Sequence, residues 1–245
     1  MSRIQAIGLP ITRSARVAMI GVIIPAHDEE AYIDAALERM ARAVRHPALH
    51  GEAVEVLVVL DSCRDATAKR VAARGVRSIR VDARNVGAAR SAGADRLLAE
   101  GARWLAFTDA DSEVSKRWLV EQLALQCDVV CGSIGVDDWT PHGIHANLLH
   151  LHFLETYNDS EGHRHIHGAN LGVSAAAYRL AGGFQSHVTG EDVAFVAALQ
   201  AVGASIAWSA KPRVVTSARR VARAPSGFAA ALTDAVAARL AAQAA

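Results

Sequence analysis

WLAFTDADSEV, residues 104–114, decides how this chain is read. An apolar run from Trp104 to Thr108 stops, and two carboxylates follow, Asp109 and Asp111, separated only by Ala110. The run is apolar at consecutive positions and too short for a helix, the pattern of a strand covered on both faces. Such strands build parallel sheets flanked by helices, and ligands of those sheets bind at the carboxyl ends of the strands. The acid pair stands where a ligand is expected. In extended backbone, residues i and i+2 point the same way, so both carboxylates are expected to face one point.

The same pattern recurs on either side. GVIIPAH (21–27), VEVLVVL (54–60), Val76–Val81 and DVVCGSIGV (128–136) read as strands, with helical spacing over 28–44, 65–74, 85–100 and 115–126. Alternation of this kind predicts an α/β fold, a mostly parallel central sheet with helices on both faces. Polar clusters close three of the strands: His27 to Glu30, Asp61-Ser62, and Asp109 to Asp111. Beyond Gly135 the pattern changes. A helix is expected over 143–158, a polar loop over 159–167, short helices over 175–181 and 190–202, strands in ASIAWSA (204–210) and PRVVTS (212–217), and an alanine-rich helix over 227–244. Neither repeats nor a linker interrupt the chain, so one domain is expected.

Composition narrows the function. Hydrophobic residues make up 51% of 245 and charged residues 21%, a globular balance. Lys plus Arg is 26 against Asp plus Glu 25, so no net field favours nucleic acid. Three cysteines without a CxxC pair argue against a disulfide framework or zinc knuckle and for a reducing cytoplasm. No apolar run approaches the ~20 residues that span a bilayer, so membrane contact is at most peripheral. The N-terminus lacks the apolar core of a secretory signal.

An Asp-x-Asp pair after a strand is often no more than a loop with helix caps. At the ligand edge of a sheet, two adjacent anions are best neutralised by a divalent cation. Hard oxygen donors suit Mg²⁺ or Mn²⁺, which keep waters and bind substrate phosphates as well. Glu191-Asp192 after Gly190 reads either as a dipole-matched helix start or as a catalytic acid pair. Seven of eleven histidines fall between His142 and His167. Trp139 is a candidate to stack on a sugar or to anchor the core. Arg213, Arg219, Arg220 and Arg223 form a basic segment suited to a diphosphate or anionic acceptor, or to a solvated face.

Six segments in order resemble family 2 glycosyltransferases of the GT-A (Rossmann-like) fold: VIIPAHDEE (22–30), VVLDSCRDAT (58–67), NVGAARSAG (85–93), FTDADSEV (107–114), HGANLGVSAAAYRLAGGF (167–184) and GEDVAF (190–195). The resemblance covers about residues 20–217 and implies a nucleotide-sugar donor, an acceptor hydroxyl and inversion of the sugar. It implies that Asp109 and Asp111 hold the metal, that Pro25, Ala26, Glu29, Asp61, Arg90 and Ala110 contact the nucleotide-sugar, and that Asp192, with Glu191 beside it, is the base. Trp139, His167 and Asn170 fall on the acceptor side. It divides the chain into a donor half, about 18–136, an acceptor half, about 137–217, and a tail, 218–245. Asp28 replaces the family's usual Asn, Leu60 the first Asp of its D-D pair, and Ser62-Cys63 its Gly-Ser. The Q-x-x-R-W motif of processive synthases is absent. The alternatives are a nucleotidyltransferase making a nucleotide-sugar, a non-catalytic binding protein of the same fold, an aspartyl phosphatase and a histidine-cluster metallohydrolase.

Overall fold

The computed structural model describes residues 18–220 and Ala237. β1 (Met19–Ala26), α1 (Ile33–Ala43), β2 (Ala53–Asp61), α2 (Thr67–Ala73), β3 (Arg77–Val81), α3 (Val86–Glu100) and β4 (Ala102–Phe107) form the first half. β5 (Ser112–Val114), α4 (Trp118–Ala124), β6 (Val129–Gly135), α5 (Ala146–Thr156), β7 (Leu171–Ser174), α6 (Ala175–Leu180), α7 (Glu191–Ala201) and β8 (Ile206–Thr216) follow. One eight-stranded sheet runs β3-β2-β1-β4-β7-β6-β8-β5. β1 to β4 pair in parallel; β7 enters antiparallel between β4 and β6, and β8 runs parallel to β6.

The unbroken apolar runs follow from burial on both sides of the sheet. Ile20, Val22 and Ile24 of β1 join Val58, Leu60, Trp104 and Ala106 against Ile33, Leu37 and Met40 of α1. The alternate residues, Ile23, Leu57, Val59, Leu105 and Phe107, join Ala94 and Leu97 of α3 on the other face. Helix α3 lies close because Gly93 has no side chain; a Cβ there would stand 2.6 Å from Ile23 Cγ2. Asn85 caps this helix, its side-chain oxygen accepting from Ala88 N at 2.8 Å.

Four expectations change. The first helix starts at Ile33, not Asp28, because the Asp28 carboxylate instead accepts from the backbone of Arg64 (2.7 Å) and Asp65 (3.2 Å). The two strands expected over 204–217 are one, β8, which keeps Pro212 where the register against β6 shifts. A three-residue strand, β5, follows the acid pair and is too short for any periodicity to reveal. α5 is shorter than the 143–158 stretch and is preceded by a 3-10 turn over Thr140–His145. The alanine-rich helix expected over 227–244 lies outside the described residues.

Candidate active site

Asp61 ends β2, but its carboxylate is occupied. Oδ1 accepts from Ala83 N and Arg84 N, both at 2.8 Å, and Oδ2 from Asn85 N at 2.8 Å. Burial works against its charge, yet the N–H groups of Arg84, Asn85 and Ala83 outweigh burial and hold the acid below its ordinary 3.8. Asp61 thus staples the loop that leads into α3. A depressed folded pKa contributes stability above the unfolded value and loses it as pH falls. Asp61→Asn is expected to cost ~1–3 kcal/mol at pH 7 and to flatten the acid limb of the stability curve below about pH 4, read by urea unfolding across pH.

Asp109 and Asp111 lie on a turn rather than in extended chain, since Ser112 N donates to Asp109 O at 3.2 Å. The two carboxylates take separate protein partners, yet the charge of Asp109 still acts on Asp111. Asp109 Oδ1 accepts from Arg90 Nη2 at 2.6 Å. Asp111 Oδ2 accepts from Ser217 Oγ at 2.8 Å and pairs with Arg219 Nη2 at 3.1 Å. Burial pushes the Asp111 carboxyl up; the Arg219 guanidinium opposes this and the charge of Asp109 adds to it. Arg219 also donates to both oxygens of Glu29 at 2.7 Å and lies 5.9 Å from the Tyr32 ring centroid. The segment that follows β8 thus brings a basic side chain onto Asp111 and onto Glu29 in the loop after β1. Pro25 and Ala26 close that strand, both buried, with Cys63 Sγ donating to Ala26 O at 3.2 Å.

Arg90 ties the acid pair to the second half. Its side chain is 3% exposed, with Nη2 on Asp109 and Nη1 on Glu191. A Cβ at Gly168 would overlap the Arg90 guanidinium, so any larger residue there would have to displace it. Glu191 is buried and committed to this pair. Asp192, one residue on, is half-buried and carries no ion pair among the described residues; Oδ2 accepts from Gly168 N at 2.9 Å and Oδ1 from Val193 N at 2.8 Å. Arg90, Asp109, Glu191, Asp192 and Gly168 therefore form one cluster from four stretches of chain.

His167 stands beside that cluster, its Nε2 2.9 Å from Tyr157 Oη, and burial pulls its pKa down to about 4. The other expected acceptor-side residues are engaged elsewhere. Asn170 is fully buried: its Nδ2 donates to Ser133 O and Pro212 O, both at 2.7 Å, and its Oδ1 accepts from Trp118 Nε1 at 2.9 Å, clamping β6 to β8. Trp139 is 7% exposed and packs on His150 and Phe153 as part of a small core with Leu149 and Ala218. Arg213 pairs with Asp159, and Arg223 lies outside the described residues. Cys131 is buried and Cys127 half-buried, both free thiols. Sequence reasoning singled out neither Ser217 nor Tyr157; both lie in ordinary strand or helix-end contexts without a motif to mark them.

No group of three His, Cys, Asp or Glu that could hold a metal occurs among the described residues. The acid pair offers two carboxylates: Asp109 Oδ2 has no hydrogen-bond partner among the described residues, and Asp111 Oδ1 has only the 3.3 Å contact from Ser112 Oγ. Two hard oxygens with open lone pairs fit a cation such as Mg²⁺ or Mn²⁺ that completes its shell with water and phosphate. A cavity of about 490 Å³ adjoins Asp111, Arg219, Tyr32 and Arg213.

Solved structures share the architecture. S. aureus TarS residues 1–349 in complex with UDP-GlcNAc superposes with a TM-score of 0.61 at 16% identity, over 86% of this chain and 61% of that one. The mannosyltransferase PcManGT from Pyrobaculum calidifontis, in complex with GDP-Man and Mn²⁺, gives 0.57 at 17% identity, over 80% of this chain and 56% of that one. Glucosyl-3-phosphoglycerate synthase from Mycobacterium tuberculosis, in complex with Mn²⁺, UDP and glucosyl-3-phosphoglycerate, gives 0.53 at 17% identity, over 82% and 70%. The chain spans about three fifths of the length of the TarS and PcManGT chains. None of the curated proteins compared matches it significantly. At these identities the likeness establishes the GT-A fold. The sequence itself matches the family described as "Glycosyl transferase family 2" over residues 21–180, about two thirds of its length. With strand, helix and acid pair in that family's order, this chain belongs to glycosyl transferase family 2.

Proposed function

We propose that the protein transfers a sugar from a nucleoside-diphosphate sugar to an acceptor hydroxyl, with inversion at the anomeric carbon. The carrying observation is the Arg90 bridge: one guanidinium joins Asp109, at the end of β4, to the start of α7, where Asp192 stands. Diphosphate-side and acceptor-side carboxylates thereby lie one side chain apart. Family membership supports the reaction class, and neighbours that bind UDP-GlcNAc or GDP-Man support a nucleotide-sugar donor. Residues of about 18–136 would hold the donor and 137–217 the acceptor. The free thiols suit a reducing cytoplasm. No helix among the described residues is long and apolar enough to cross a membrane.

In this reading Asp192 takes the proton of the acceptor hydroxyl. Its oxygen attacks the anomeric carbon from the face opposite the diphosphate. The carbon–oxygen bond to the β-phosphate breaks, and its electron pair leaves with the nucleoside diphosphate. A divalent cation held by Asp109 and Asp111, when bound, supplies Lewis-acid neutralisation of that leaving charge. Arg219, already against Asp111 and Glu29, adds a second positive group on the same side. Glu191 serves by holding Arg90 in place, which leaves Asp192 as the base.

Thermal shifts with UDP-, GDP-, CDP- and dTDP-sugars, with and without Mn²⁺, test this. Ligand at ~100 times its Kd adds about 2.7 kcal/mol, and so roughly 5–10 °C for a chain of this size. One nucleotide class should produce the rise, Mn²⁺ should enlarge it, and Asp111→Ala should abolish the Mn²⁺-dependent part. No shift with any nucleotide-sugar would sink the reading.

A further inference from the structure

We propose that His167 is a fixed hydrogen-bond donor to the acceptor: its Nδ1–H meets a hydroxyl oxygen beside Asp192, and Tyr157 sets the tautomer that makes this possible. The inference rests on the transferase reading above and narrows the acceptor chemistry.

Hydrogen counting carries it. Ile134 N donates to Tyr157 Oη at 2.8 Å, and Tyr157 Oη lies 2.9 Å from His167 Nε2. The phenol has one hydrogen. Were Nε2 protonated, that hydrogen would meet no acceptor among the described residues. The arrangement that uses every hydrogen has the phenol donating to Nε2, so a neutral ring carries its proton on Nδ1. Tyr157 cannot rotate away, because its ring stacks between Phe153 (4.6 Å, 13°) and His165 (4.1 Å, 10°).

The position of the ring gives the donor its target. Nδ1 makes no hydrogen bond among the described residues, and the residue is half-buried. Its electrostatic neighbours are the carboxylates of Asp192 and Asp109 and the rings of His165 and His163. Gly168, the next residue, donates its backbone N–H to Asp192. In the proposed complex an oxygen bound at Nδ1 stands next to the base. A rigid N–H pairs only with a lone pair. It favours a hydroxyl or other oxygen next to the reacting group and opposes a protonated amine there.

Long-range nitrogen–proton spectra of the full chain carrying ¹⁵N-labelled histidine read the tautomer directly. His167 should be Nδ1-protonated at pH 7, and Tyr157→Phe should release it to the Nε2-protonated form. A wild-type ring protonated on Nε2 would overturn the proposal. Turnover of the nucleotide-sugar chosen by thermal shift, with water or glycerol as the acceptor, gives the second reading. An asparagine amide reproduces Nδ1–H, whereas glutamine reproduces Nε2. His167→Asn should stay within about threefold of wild type, while His167→Gln and His167→Ala fall about tenfold or more, with the donor-induced thermal shift unchanged in all three. Equal losses for Asn and Gln, or a lost donor shift, would also overturn it. If neither water nor glycerol is glycosylated, the spectrum alone decides. A wild type that no nucleotide-sugar stabilises instead sinks the transferase reading, and leaves the tautomer to its own spectrum.

Discussion

Asp192→Asn is expected to lower kcat for sugar transfer by ~10²–10⁴, the usual worth of a positioned general base, with the donor-induced thermal shift retained. Two neighbouring acids compete for the role, and their surroundings separate them. Glu191 is buried and paired with Arg90, so its lone pairs are spent on a cation. Among the described residues Asp192 accepts only backbone N–H groups, from Gly168 and Val193, and it stays half-buried. The substitution preserves size and can keep one of those backbone bonds. It removes an interaction needed only as the hydroxyl loses its proton, so kcat and kcat/KM should fall together. Glu191→Gln should act differently, by loosening Arg90, and should cost stability as well as rate. An Asp192→Asn enzyme with wild-type kcat would end the assignment and make Glu191 the next candidate.

Arg90→Met is expected to destabilise the fold by ~3–5 kcal/mol, because it leaves a buried carboxylate without its cation. For a chain of this length that is roughly 6–20 °C in Tm. The Arg90 side chain is 3% exposed and Glu191's is 10% exposed, so water cannot replace the lost partner. Asp109, at 34%, is better solvated and suffers less. Adding Glu191→Leu to Arg90→Met should restore part of the loss, since removing both partners relieves the orphaned charge. Urea unfolding of the two single variants and the double gives the coupling directly. A loss below about 1 kcal/mol for Arg90→Met would mean that the bridge does not hold α7 to the sheet.

Much of the first half is legible in the chain alone. VEVLVVL and WLAF are apolar at every position because helices cover both faces of the sheet, and that burial leaves a mark within a few residues. Asn85 before α3 and the acids at the start of α7 are equally local signals. The acid pair at the end of β4 is readable for the same reason: it needs only the end of one run and the chemistry of two side chains.

Local pattern does not reach further. The expectation for Asp109 and Asp111 assumed extended backbone; the chain turns before Ser112 instead, and Arg90 pairs with the first acid and Arg219 with the second. Asp61 looked like part of the same acid rim, yet three backbone N–H groups of a neighbouring loop claim it. Asn170, with a motif's residues around it, clamps two strands. The alternation of strand and helix, and the edge where a ligand belongs, were thus already written in short-range hydrophobic pattern and charge. The pairing of Arg90 with Glu191 across 101 positions, of Arg219 with Glu29 across 190, and the contact of Tyr157 with His167 came only with the folded chain. Such contacts depend on how elements pack against one another, and no spacing along the sequence encodes the distance between side chains so far apart.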